Sequence, residues 1–213
     1  MPRREASYER EAREHAAAAA KKVLAVVRTL GPERLYRLAN KPTAERSLNT
    51  VFANLFGPGG VWVGPYSAFA EHVRGGVSLR DWLQSLPARA AVILWRWKPM
   101  YGHWTCVFLQ DNGAIQIFDS TAAEPDALRR DQTPAESQAL GQATPELIRS
   151  LHRQAAHYND IQLQDSRAQT CGRWCALRLF LRNLTEKEFA GLVKILAKQT
   201  KLPPDIVVTA ATA

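Results

Sequence analysis

Cysteine is scarce: the 213 residues hold three, Cys106, Cys171 and Cys175. So few, and an odd number, argue against a disulfide framework and point to a reducing compartment. A structural zinc site needs four ligands, usually in paired short spacings, and no His or Cys pair complements Cys171 and Cys175. Long apolar runs are also missing, and none approaches the ~18 residues that suggest a membrane span. The opening MPRREASYEREAREH alternates charge sign without an apolar centre, so it reads as neither a signal nor a transit peptide. No internal repeat is visible. Acidic residues number 20 against 28 Lys and Arg, a net charge of +8. That balance suits a nucleic acid or an acidic surface, although the cations are scattered, with short clusters only at Arg3-Arg4, Lys21-Lys22 and Arg129-Arg130.

What is present is an ordinary globular composition, 46% hydrophobic, which excludes disorder of the chain as a whole. The Ala run at 16–20 and the Glu/Arg spacing predict a helix over 5–29, broken at Gly31-Pro32 and followed by a short helix at 33–39. Apolar residues at 48, 51, 52, 55 and 56 predict a helix over 44–56, and VWV at 61–63 a short strand. Ser78 to Asp81 is a capping-box pattern opening a helix that Pro87 ends. AAVILWRW (90–97) and HWTCVFLQ (103–110) read as strands, and Asp111-Asn112-Gly113 as a hairpin turn leading into AIQIFDS (114–120).

Residues 121–143 read as a loop. Thr144-Pro145 opens a helix to about 157, DIQLQ (160–164) is a short strand, and 171–183 is a helix. Thr185 to Glu188 opens a last helix to about 200. Helices, then strands, then helices predict an α+β fold with a mainly antiparallel sheet flanked by helices. The division expected is a helical N-terminal extension, 1–43, and a domain, 44–213.

Cys171 is the residue that suggests chemistry. It sits where a polar loop runs into a helix, and free N–H groups with a positive dipole end favour thiolate there. Gly172 beside it is expected to let a substrate backbone come close. Cys175, one turn on, and Cys106, within a strand, read as core. A nucleophilic cysteine needs a base and an orienter. Among five histidines, His103 opens a strand, and the hairpin returns to Asp119, so the two are expected to be neighbours at one end of the sheet. Gln164, with the Cys171 N–H, is placed to form an oxyanion hole. Each has a plain structural alternative: a strand-end histidine beside a turn aspartate, and a loop glutamine bonded to backbone.

Gly102-His103-Trp104, then Phe118-Asp119-Ser120, then Gln164 and Cys171-Gly172 resemble, in that order, the adenain and Ulp1-like cysteine proteases. The seven-residue spacing from Gln164 to Cys171 is similar to that of the adenovirus-type branch. The stretch NDIQLQDSRAQTCGRWCALRLFLRNLTEKEF resembles homologues carried by large DNA viruses, virophages and Maverick-type elements. The likeness covers roughly residues 78–195; residues 1–60 carry no part of it. The order His before Cys argues against an ordinary papain relative.

The resemblance implies a papain-like core with Cys171 as nucleophile, His103 as general base and acid, Asp119 as its orienter and Gln164 as oxyanion donor. It implies Trp104 as a wall of a narrow cleft that selects Gly or other small residues. It implies no metal and no organic cofactor. Three functions follow as expectations. The first is an endopeptidase processing viral capsid or core precursors. The second is an isopeptidase of deubiquitinase or deSUMOylase type. The third is a non-enzymatic, basic nucleic-acid-binding or scaffold protein, a role that six tryptophans expected in strands and helices do not favour. The partner expected is a protein substrate, a viral precursor or a ubiquitin-like conjugate, with nucleic acid open as activator or tether, and no membrane. The expected location is intracellular, in host cytoplasm or nucleus, or packaged in a virion.

Overall fold

A computed structural model describes residues 2–98, 101–152 and 156–213. Its centre is a five-stranded sheet in the order β1 (Trp62–Pro65), β2 (Ala90–Lys98), β3 (Tyr101–Leu109), β4 (Ile115–Phe118), β5 (Ala156–Tyr158). The β2/β3 and β3/β4 pairs are antiparallel; β1/β2 and β4/β5 are parallel. The sheet is therefore mixed rather than mainly antiparallel. The reason lies in the connections: helices link β1 to β2 and β4 to β5, and a crossover through helices returns the chain in the same direction.

Alternate residues of the central strands face two separate apolar layers, which explains why β2 reads as an unbroken hydrophobic run. Val92, Trp104, Cys106, Phe108 and Phe118 belong to one layer, with α7 (Cys171–Phe180), α8 (Glu186–Thr200) and α9 (Pro204–Ala211). Ile93, Trp95, Val107 and Ile117 belong to the other, with α3 (Tyr66–Arg74), α4 (Leu79–Ser85) and Leu147 of α6 (Glu146–His152). Trp82, Trp95, Trp104 and Trp174 are buried, as core packing requires, whereas Trp97 is exposed.

The first helix, α1 (Pro2–Ala39), is interrupted at Gly31, whose φ of 70° and ψ of 162° leave the helix before Pro32 restarts it. Its Ala19, Val23, Leu35 and Ala39 are buried in the same layer as Cys171 and Trp174, and it packs on α8 and α9. The helix of the 1–43 segment thus shares one core with the rest of the chain. The α2 helix (Glu45–Phe56) seats Leu48 and Phe52 against it.

Three expectations change, and one helix was not foreseen. DIQLQ (160–164) is not a strand; β5 lies earlier, and the amides of Leu163 and Gln164 both donate to Ser120 O at 2.9 Å. The 121–143 loop contains a 3-10 turn (Ala127–Asp131) and α5 (Pro134–Ala139), the latter with a Thr133–Glu136 capping box. The helix expected to 157 gives way to β5, and residues 153–155 lie outside the described residues. Finally α9, built on the β-branched run Ile206 to Thr209, is helical because its residues Asp205–Ala211 are all buried, and tertiary burial overrides propensity.

Candidate active site

Asn112 and Gly113 fix the β3/β4 hairpin. Gly113 has φ of 82°, and Ala114 N donates to Asn112 Oδ1 at 2.9 Å. The resulting register pairs Cys106 with Phe118, so Asp119 leaves the sheet beside the start of β3. There His103 Nε2 lies 3.0 Å from Asp119 Oδ1 and 2.9 Å from Oδ2. Both side chains are buried, at 6% and 4% exposure, so solvent screens this pair little. Burial alone would lower the imidazole pKa. The charge and hydrogen bond of Asp119, followed by those of Cys171, override it and push His103 up to about 10. Asp119 is held below the usual carboxylate range. Burial opposes this, but the charge and hydrogen bond of His103 and two bonds from Thr121 outweigh it.

Two supporting residues were not expected from sequence. Thr121 donates from both N, at 2.8 Å, and Oγ1, at 2.6 Å, to Asp119 Oδ1. The Asp-Ser-Thr spacing is the signal for such a local turn. Asn159 brackets the Asp119 backbone: its Oδ1 accepts from Asp119 N at 2.7 Å and its Nδ2 donates to Asp119 O at 2.6 Å. No local pattern announces Asn159; only the parallel placement of β5 beside β4 brings it there.

Cys171 is the first residue of α7 and is 8% exposed. Nε2 of His103 is engaged by Asp119, which leaves the other ring nitrogen, and Cys171 lies near enough to the ring to help raise its pKa. Cys175 is fully buried and its Sγ donates to Trp104 O at 3.4 Å. Burial, and then the neighbouring Cys106, push its thiol well up, so Cys175 stays protonated. Of the other histidines, His15 stacks on Phe180, His72 on Trp82, and His157 is exposed on β5. The side chain of His152 lies outside the described residues.

The Gln164 amide is held at both ends. Its Oε1 accepts from Ser120 Oγ at 2.6 Å and its Nε2 donates to Ala168 O at 2.7 Å. A carboxamide nitrogen has two hydrogens, so one remains to donate elsewhere. A cleft of about 450 Å³ opens onto Cys171, lined among others by Trp104, Gly102, Thr43 and Arg96. Trp104 is fixed in its wall by donating Nε1 to Thr43 O at 2.8 Å. A Cβ at Gly102 would lie 2.0 Å from Trp95 O, so β2 and β3 approach this closely only with glycine there. Gly172 serves differently from the expectation. A Cβ there would meet Leu48 and Thr43 at 3.0–3.1 Å, so its lack of a side chain accommodates α2 and the 43–44 connection rather than a substrate backbone.

Among the described residues, no group of three or more His, Cys, Asp or Glu is placed to hold a metal ion. Among them, too, no helix is long and apolar enough to cross a membrane. No protein-family model matches the chain. It is 33% identical over 130 residues to "Uncharacterized protein V9" of Sputnik virophage, a match spanning 59% of this chain and 74% of that protein.

Proposed function

The chain belongs to the family of the Sputnik virophage protein V9, and we propose that it is a cysteine endopeptidase acting on viral precursor proteins. The observation that carries this reading is the buried His103 held by both oxygens of Asp119, with a cysteine at a helix start close enough to raise its pKa further. A histidine and aspartate fixed only for stability would not call for a thiol beside them.

In this reading the Cys171 proton rests on His103, whose raised pKa keeps it cationic at neutral pH, and the thiolate attacks the scissile carbonyl carbon. The carbonyl oxygen becomes negative and is met by the Cys171 N–H and the free hydrogen of the Gln164 amide. His103 then protonates the leaving amine as the C–N bond breaks, leaving a thioester on Cys171. Water, deprotonated by the same imidazole, attacks the thioester, and the acid product departs as the thiol is restored. Asp119 keeps the ring oriented and stabilises its cationic form. A viral relative supports a viral precursor as the substrate over a host modifier conjugate.

The test is turnover of candidate precursor proteins from the same genome, and of ubiquitin-like conjugates, by the wild-type chain and by Cys171→Ala. The expected outcome is precursor cleavage that Cys171→Ala abolishes while the fold, followed by circular dichroism, is kept. Equal turnover by the two proteins would refute the assignment. Cleavage of conjugates alone would make the chain an isopeptidase, and active-site thiol probes that ignore Cys171 would favour a non-enzymatic role.

A further inference from the structure

Among the described residues, three threonines stand at the cap position before helices, and one of them does not cap. Thr133 before α5 and Thr185 before α8 sit at φ −67°, ψ 156° and φ −62°, ψ 162°, and each forms a reciprocal capping box with the glutamate three residues on. Thr170, before α7, sits at φ −107°, ψ 5°, and makes no side-chain cap. Its hydroxyl donates instead to Asp205 Oδ1 on the first turn of α9. The same oxygen accepts from Trp174 Nε1 at 2.8 Å, and Oδ2 accepts from Asp165 N at 3.0 Å. One carboxylate, 7% exposed, thus receives three donors from the loop and helix that carry the nucleophile.

We propose that Asp205 is a positioning residue for the oxyanion hole: it holds the Thr170 hydroxyl off the first turn of α7 and pins both ends of the 165–170 loop. The proposal rests on the peptidase reading. An ordinary threonine cap places its oxygen over the third N–H of the helix, here that of Arg173. That oxygen would sit across the positive end of α7, where the reaction needs to receive negative charge. Adopting cap angles would also re-aim the 165–169 segment, whose Ala168 O holds Gln164 Nε2. Asp205 therefore sets both oxyanion donors through Thr170, without touching substrate. A merely structural carboxylate would act through stability alone, and damage from losing Thr170 as well would add to its loss.

The experiment compares full-length wild type, Asp205→Ala, Thr170→Val and the double variant. Three quantities are measured on each: kcat and KM on a fluorogenic peptide ending in Gly-Gly, and the rate of Cys171 alkylation by iodoacetamide. Asp205→Ala is expected to lower kcat on the order of 10- to 100-fold, with KM and alkylation little changed, because an oxyanion donor matters in the transition state. Thr170→Val is expected to lose less kcat than Asp205→Ala, because valine cannot compete for the helix end. The double variant recovers most of the lost kcat, because valine cannot compete for the helix end. A double variant no better than Asp205→Ala overturns the proposal. Should Asp205→Ala not fold, Asp205→Asn keeps the volume, loses one acceptor and is compared in the same way. If the wild type cleaves no peptide or precursor, the peptidase reading fails separately. A crystal structure of the Asp205 variant then decides: Thr170 moved to cap angles supports the proposal, and Thr170 still near its present ψ overturns it.

Discussion

Replacing Asp119 by Asn isolates the charge that raises His103. In the wild type the imidazole titrates near 10 in the folded chain and near 6.5 in the unfolded one. The folded state therefore binds the extra proton between those values, and stability falls as pH rises through that window by ~1.4 kcal/mol per pH unit. The contribution is fully present below 6.5 and gone above about 10, on the order of 5 kcal/mol in all. Asp119, whose pKa is lowered, works with the opposite sign: its share is present above its unfolded value, near 4, and is lost as pH falls through the folded one. The two describe one interaction and are not added.

In Asp119→Asn the burial of His103, the largest cause, is opposed only by the smaller contributions of Cys171, and burial lowers an imidazole pKa. The variant is expected to carry a neutral His103 at pH 7 and to lose the alkaline decline, while Thr121 still donates to the amide oxygen. Two measurements check this. Histidine ring NMR gives the His103 midpoint in each protein, and denaturant unfolding from pH 5 to 11 gives the stability difference between them. Comparing the pair cancels the titration of the lysines and tyrosines they share. A His103 midpoint near 6.5 in the wild type, or one that Asp119→Asn leaves in place, would refute the reasoning.

Gln164→Ala should cost on the order of 100-fold in kcat, ~2.7 kcal/mol, while iodoacetamide still alkylates Cys171, because alkylation develops no oxyanion; parallel loss of both would assign Gln164 to loop support. Cys175→Ala should lower unfolding stability by ~1 kcal/mol or more and spare turnover, since Cys175 is fully buried and protonated. Gly102→Ala brings a methyl to 2.0 Å from Trp95 O, so thermal unfolding should show a loss of several kcal/mol or no folded protein; a fold of unchanged stability would mean the two strands separate freely there.

The juxtaposition of His103 and Asp119 in the candidate site was legible because chemistry narrows the residue types. A hairpin turn with Asn112-Gly113 sets a register, and a register puts His103 next to Asp119 without further knowledge. The order of Gln164 and Cys171 before a helix was readable in the same way. What failed were inferences from type alone. The alternation in DIQLQ suggested a strand, but Ser120 O takes two successive amides there and the chain turns. Gly172 suggested room for a substrate, but Leu48 fills that side.

The residues that hold the site were hidden for a different reason. Asn159 and Asp205 act across 40 and 35 residues, and a backbone amide or a hydroxyl accepts support from many side-chain types, so no short pattern marks them. One signal does lie in the sequence, as an inconsistency. Thr133 and Thr185 are each followed at the third position by a glutamate, whereas Thr170 is followed by Arg173. A threonine at a helix start without the residue that completes its box has a hydroxyl to spend elsewhere. When the next residue is also the candidate nucleophile, the missing glutamate has a reason. A carboxylate at that position would aim negative charge at the helix end that the proposed reaction needs free. The departure from good capping at α7, set beside two good caps in the same chain, sets apart the helix start that the proposed oxyanion hole would use.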